Sequence, residues 1–466
     1  MTASTEAPIS AALASPHPLP VDVSQIIDTQ KLNAFVVRLV VISWFVTFCD
    51  GFDLNSIAFV APYLKTAYAL DNRTVATIFA SGGAGALFGG LLFGWMGDRL
   101  GRRAAIITAV GLSGTFTLLL ALANRPWELV FIRFINGVAL GGALPLIWTL
   151  TIEYVPTRYR ATVVTLVMLG YGLGVFAAGP LSLALIPGFG WQSVFVCGGV
   201  VSLVAAVLVW RKLPESLRFL AHRGGDPERV ARITRRLIPG QRLEPAQLTV
   251  ATPTKSRSRA AVALFDGPLR WITPLLWIAF AASSMTMYFF VSWGPILFER
   301  MGLTRSDAAW SSSFNALAGA VGAVAVMRFT DRRGPGSLMV MPAIAVPLLV
   351  LLGTTHVSGG SFMLMTGVLY LLLGGTHYGI QSILGIYYPT AERARGAGWA
   401  SSIGKVGSVA AQLMGGWLLG SQVNSRSPFL VLALFPALFA LAILSLAAVA
   451  RRSALRTMPE RETGPT

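Results

Sequence analysis

The sequence predicts an all-α polytopic membrane protein, with twelve transmembrane helices in two pseudo-symmetric six-helix bundles. Three observations predict it. The first is composition: of 466 residues, 54 % are hydrophobic and only 12 % charged, against about 25 % charged in a soluble domain. Apolar segments repeatedly reach the roughly 20 residues needed to cross a bilayer. The second is charge placement. The net charge of +17 is concentrated in alternate loops, a topology signal that argues against a nucleic-acid surface. The third is an internal repeat, in which motifs recur at a constant offset of 233 residues.

Taken in order, residues 1–32 carry Pro8, Pro16, Pro18 and Pro20 and lack a basic stretch followed by a short apolar core. They read as a disordered cytoplasmic tail without a cleaved signal peptide. Apolar segments follow at about 35–64, 75–96, 104–123, 127–154, 160–187 and 190–210. With its short lead-in, this set forms an N-terminal bundle over 33–210. Residues 211–268 are polar and basic and form a cytoplasmic linker. Within it, 226–238 has amphipathic spacing suited to an anionic membrane surface or to a solvated helix. A C-terminal bundle over 269–450 holds segments 270–298, 308–328, 337–356, 361–388, 396–420 and 427–450, before a cytoplasmic tail, 451–466. Each segment is too long for a strand, and glycine is frequent inside them, as in membrane helices. With both termini inside, 29 of the 37 Lys and Arg fall on the cytoplasmic side, which sets the orientation. Cys49 and Cys197 both lie in apolar runs and give no disulfide framework or metal spacing.

The repeat is specific. Asp98-Arg99-Leu100-Gly101 recurs as Asp331-Arg332-Arg333-Gly334, and Pro156-Thr157-x-x-Arg160-Ala161 as Pro389-Thr390-x-x-Arg393-Ala394. Gly141-Gly142 maps to Gly374-Gly375 and Gly174 to Gly407 at the same offset. A duplicated six-helix unit places substrate between the halves near the midplane.

The first segment is almost wholly hydrophobic, yet it contains Asp50 and Asp53. Carboxylates three residues apart on a helix share a face. Each costs about 2.5–3.5 kcal/mol at mid-bilayer on an insertion scale. Such groups line a polar cavity, carry a proton, or pair with a buried cation. Arg133 in the fourth segment lies about 10 Å from its centre, and Asp53 about 5 Å to the same side of the first segment's centre, at 1.5 Å per residue. An Asp53–Arg133 pair lowers the cost of both and leaves Asp50 as the freer carboxylate. Glu153, at the cytoplasmic end of the fourth segment, reads as a structural partner for the arginines at 158–160.

The loop Gly94-x-x-x-Asp98-Arg99-x-Gly101-Arg102-Arg103 resembles the signature loop of the major facilitator superfamily. Its glycines allow a tight turn, and Asp98 either caps a helix or pairs with an arginine across the two-bundle seam. Met327 replaces the first glycine in the second copy, so that half of the gate is expected to pack less closely. Further matches narrow the resemblance: Asp50-Gly51-Phe52-Asp53 with Ala61-Pro62, Arg133-x-x-x-Gly137-x-x-x-Gly141-Gly142, and Glu153-Tyr154-x-Pro156. Leu213-Pro214-Glu215-Ser216, Ser292-Trp293-x-Pro295 and Pro389-Thr390-x-x-Arg393 continue it. Together they resemble the aromatic acid:proton symporter family over nearly the whole chain. The resemblance implies an inner-membrane bacterial transporter, with roles in transport for Asp50, Asp53, Glu153, Arg133, Asp98, Asp331, Arg393 and Lys405. It implies proton coupling through Asp50, Asp53 and Glu153, and gating through Gly94, Asp98, Arg99, Gly101, Arg102, Asp331, Arg332 and Arg393. Two positions depart from the family pattern: Lys405 stands where arginine is usual, and Leu146 follows Pro145 where asparagine is frequent.

An aromatic carboxylate needs a cation for its head and flat apolar faces for its ring. Lys405 and Arg133 are the candidate cations, though Lys405 has a second reading as the counter-charge of Asp50 or Asp53. Phe52, Trp148, Tyr171, Tyr288, Phe289, Trp293 and Tyr378 are the candidates for the ring, and His377 and Gln381, one turn apart, for a ring hydroxyl. The expected function is import of small aromatic carboxylates, such as benzoate or hydroxybenzoates, with protons, by alternating access. The partners are that substrate and membrane lipid, with no cofactor beyond the coupling proton and a monomer expected. A proton-coupled exporter of amphiphilic compounds is the nearest rival, supported only by Gly174 and Gly179-Pro180 in the fifth segment. A chemoreceptor is the second. No nucleophile–base or metal constellation points to an enzyme.

Overall fold

A computed structural model describes residues 21–22, 27–28, 30, 32–222, 228, 232–233, 235, 237, 248–249, 261–357, 359–389, 392–420 and 426–456. Its long helices are α1 Ala34–Ala67, α2 Asn72–Leu100, α3 Arg102–Leu120, α4 Pro126–Glu153, α5 Arg160–Phe189 and α6 Gln192–Lys212. The second set is α7 Leu269–Arg300, α8 Arg305–Arg333, α9 Val340–Thr354, α10 Gly359–Tyr387, α11 Arg393–Gly420 and α12 Ser427–Arg456. Among the described residues, eleven are long and apolar enough to span a membrane. The other, α11, has 28 residues and carries Arg393, Arg395 and Lys405. The chain is a multi-pass membrane protein built of two six-helix bundles.

Helix starts follow the local chemistry. Asn33, Asp71 and Thr304 each accept a hydrogen bond from a backbone N–H three residues on, capping α1, α2 and α8. Gly101 (φ 102°) and Gly334 (φ 83°), one repeat length apart, turn the chain from α2 into α3 and from α8 toward α9. Close helix approach also repeats. A side chain at Gly89 would run into the Val138 backbone of α4, and one at Gly322 into the Leu371 backbone of α10. Gly141 and Gly374 occupy the reciprocal positions.

The arginine-rich loops define a basic end of the molecule. At the far end one hydrophobic cluster runs through both bundles, from Val60 and Phe79 to Phe298 and Leu419. At the basic end the core divides into separate clusters, one holding Leu39, Ile106 and Leu150, the other Ile272, Ile380 and Ile443. Contacts across the seam follow the same division. Asn72 Nδ2 donates to Leu419 O at 2.5 Å, the Phe79 and Trp293 rings meet edge to face at 5.1 Å, and the Arg305 guanidinium lies 4.8 Å over the Tyr63 ring. These far-end contacts close the seam there, while neither hydrophobic cluster of described residues at the basic end spans both bundles.

Most of the tail expected over 1–32 lies outside the described residues; those described contact the linker and the α4–α5 loop. Val21–Asp22 pairs in parallel with Leu248–Thr249 of the linker, and Ile27 and Gln30 are buried. Gln30 Nε2 donates to Tyr154 O at 3.2 Å, and Asn33 Nδ2 to Leu237 O of the linker at 2.5 Å. The Thr157 hydroxyl and backbone N–H both donate to Asp28 and hold its carboxyl below the usual aspartate range. The segment is held by polar contacts with the α4–α5 loop, which residue composition does not reveal.

Candidate functional site

Helix α1 buries both of its aspartates, but their surroundings differ. Asp53 faces the interior of the N-terminal bundle, 1 % exposed. Its Oδ2 accepts from Ser113 Oγ of α3 at 3.1 Å and from Ser202 Oγ of α6 at 3.0 Å. Phe52 is buried on the same side, where a side chain at Gly198 of α6 would meet its ring. Asp50 is 8 % exposed and its Oδ1 is buried with no hydrogen-bond partner in the protein. Gly51 lets the Tyr171 backbone of α5 lie directly against α1, and Asp50 lies within electrostatic reach of Tyr171, Tyr288 and Asp53.

The C-terminal bundle supplies the opposite wall. Tyr288 of α7 and His377 of α10 meet edge to face at 5.8 Å, and His377 and Tyr378 at 5.4 Å. Ser283 Oγ lies 3.4 Å from His377 Nδ1. These three rings and that of Tyr171 are half-buried, and Gln381 one turn beyond His377 is exposed. Asp50, Tyr171, Tyr288, His377 and Tyr378 therefore gather from four helices and both bundles, as a substrate site between repeats requires. Lys405 stands apart on α11, half-buried, with Nζ 3.4 Å from Ala86 O of α2 and close beside Gly90. No described carboxylate pairs with it, so the reading of Lys405 as counter-charge to the aspartates has no support in this geometry.

Arg133 does not pair with the Asp53 carboxylate as expected. Nη1 donates to the Asp53 carbonyl at 3.1 Å and Nη2 to the Leu54 carbonyl at 2.8 Å. The guanidinium takes the helix backbone beside the carboxylate, whose Oδ2 is held by Ser113 and Ser202. Glu153 pairs with Arg102 at the start of α3, not with the 158–160 arginines, and accepts from Ser216 Oγ at 2.6 Å. Arg158 and Arg160 instead donate to the carbonyls of Gln30 and Val155. Trp293 is fully buried at the seam, with Nε1 donating to Gln412 O at 3.0 Å. Trp148 is half-buried on α4, its Nε1 without a partner in the protein.

The signature loop is organised by a residue from beyond α6. Glu215 Oε1 accepts from Arg103 N at 3.1 Å at the start of α3, and a side chain at Gly101 would strike its carboxylate. Asp98 and Arg99 are exposed, and Arg99 lies 4.8 Å over the Trp95 ring. A side chain at Gly94 would meet nothing within 4 Å. Arg332 and Arg393 are exposed, while the side chains of Asp331 and Met327 lie outside the described residues. Sequence reasoning missed the unpartnered polar groups of α8, Ser311, Ser312, Ser313 and Asn315, and Gln412 of α11. The three consecutive serines inside an apolar segment were the available signal.

The model of the Major Facilitator Superfamily matches residues 43–386. This chain belongs to that superfamily. Among its curated relatives is a gallate transporter of Pseudomonas putida, 33 % identical over 93 % of this chain and 96 % of its own length. Another is a 4-hydroxybenzoate transporter of Pseudomonas aeruginosa, 31 % identical over 91 % and 95 %. These relatives are aromatic acid transporters of the superfamily, and none is an enzyme. The fold matches the xylose transporter XylE of Escherichia coli with a TM-score of 0.67, at 16 % identity, over 93 % of this chain and all of that one. The stretch from Gly94 to Arg103 lies inside the matched residues and is tied to the segment after α6 through Glu215.

Proposed function

We propose that this protein is a proton-coupled symporter that imports small aromatic carboxylates across a bacterial inner membrane by alternating access. It acts as a monomer, with both termini and the basic end in the cytoplasm. One observation carries the reading: a carboxylate without a partner, Asp50, lies beside half-buried rings from both bundles, while Lys405 of α11, against α2, is a cation with no carboxylate partner among the described residues. The names of the relatives, gallate and 4-hydroxybenzoate transporters, support the same substrate class.

The chemistry follows from charge. An ionised Asp50 has no hydrogen bond to offset its burial, and taking up a proton removes that cost. The phenols of Tyr171, Tyr288 and Tyr378 present ring edges and hydroxyls to a flat substrate. Lys405 supplies a point charge for its carboxylate, in exchange for the weak bond to Ala86 O. The far-end seal supports reading this packing as an inward-facing state, in which substrate and proton leave to the cytoplasm. Uptake of labelled benzoate, 4-hydroxybenzoate and gallate into proteoliposomes tests the reading. Accumulation above equilibrium is expected only when the lumen is alkaline to the outside. Equal uptake with and without the gradient would contradict it.

A further inference from the structure

Away from the substrate site, the basic end of the N-terminal bundle holds a cavity of about 440 Å³ between the start of α1 and the end of α6. Its lining is Phe35, Arg38, Leu39, Arg211, Lys212 and Pro214. The three cations are exposed, and none makes a hydrogen bond or ion pair with a described residue. The nearby carboxylates are engaged elsewhere: Glu215 by the backbone of Arg103 and Ser216, and Asp28 by Thr157. Directly along the two helices the surface turns apolar and exposed, with Val37 and Val41 on α1 and Val204, Val207 and Leu208 on α6. Trp210, one residue before Arg211, is exposed as an interfacial aromatic would be.

We infer that this cavity binds the phosphodiester headgroup of an anionic phospholipid of the inner leaflet. Topology alone requires positive charge at this end, but not three unpaired cations converging on a concave, part-apolar pocket. The apolar faces of α1 and α6 lie where the acyl chains would run. A basic pocket between helix ends at headgroup depth is the physical form that such recognition takes. A soluble phosphate ester shares the headgroup chemistry but has no chains to lay against Val37, Val41 and Val204.

The test is native mass spectrometry of the full-length protein, delipidated and then offered equal amounts of cardiolipin, phosphatidylglycerol and phosphatidylethanolamine. Retention of the two anionic lipids on the order of tenfold or more above phosphatidylethanolamine is expected. Arg38→Gln/Arg211→Gln/Lys212→Gln should lose that preference, whereas the charge-conserving Arg38→Lys/Arg211→Lys/Lys212→Arg should keep it. If the neutralised triple variant does not fold, Arg38→Gln alone, at an exposed and unpaired side chain, should lower retention severalfold. Arg73→Gln at the far end should leave it unchanged. Equal retention of all three lipids, or anionic retention undiminished in the neutralised variants, would overturn the inference. Displacement of the lipid by millimolar glycerol 1-phosphate would overturn it too, by assigning the pocket to soluble phosphate esters.

Discussion

Asp50 and Lys405 are buried or half-buried charges with no opposite charge paired to them among the described residues, and the proposal gives them different tasks. Asp50→Asn imitates a permanently protonated site. Uphill uptake should be abolished, while exchange of substrate across the membrane survives, and gradient-driven accumulation at the wild-type level would refute the assignment. Lys405→Ala should weaken aromatic acids by about 2–5 kcal/mol, the usual cost of removing one partner of a buried charge pair, and their neutral amides hardly at all. Calorimetry at a pH where the acids are ionised reads this. Equal losses for acid and amide would show that Lys405 serves to hold α11 against α2. The freer state of Asp50 was legible from two aspartates in one apolar segment. The partners of Asp53 and Arg133 were not, because helical spacing fixes the face of a side chain but not which neighbouring helix carries the serines that reach it first.

At the scale of elements, the α2–α3 turn separates two glycines that the sequence presents as equals. Gly101 has φ 102° and lies against Glu215, whereas Gly94 faces open space. Gly101→Ala should therefore lower thermal stability, with backbone strain of about 1–3 kcal/mol added to the clash. Gly94→Ala, inside α2 with open space beside it, should leave the unfolding midpoint at or slightly above the wild-type value. Equal midpoints for both variants, followed in detergent, would contradict this reading of the turn. The positions of eleven helices could be read from apolar length alone, since a bilayer leaves few alternatives. The link from Glu153 to Arg102, and from Glu215 to the start of α3, could not be read. Each joins residues brought together only by packing of α3, α4 and the segment after α6.

Over the whole molecule, the two bundles meet in a shared core at the far end and hold separate cores at the basic end. The 233-residue repeat predicts the two bundles, but how their cores join at one end and separate at the other is a property of the packed state. Spin labels at Leu100→Cys and Gly398→Cys, on exposed parts of α2 and α11, report the opening. Trp293→Ala removes the Phe79 contact and the bond to Gln412 and should shift the distance distribution shorter, as the far end loosens and the basic end closes. Asp98→Asn should reduce the short-distance population without loss of substrate affinity; a large loss of affinity would mean that the residue acts on the site itself. If substrate and proton cross together through Asp50, the pH inside proteoliposomes should respond when an aromatic acid is added outside with no other gradient. Wild-type protein should acidify the lumen faster than protein-free liposomes, which measure passive entry of the neutral acid, and Asp50→Asn should fall to that background. Wild-type acidification no faster than the protein-free control, at a concentration where labelled substrate enters, would contradict it.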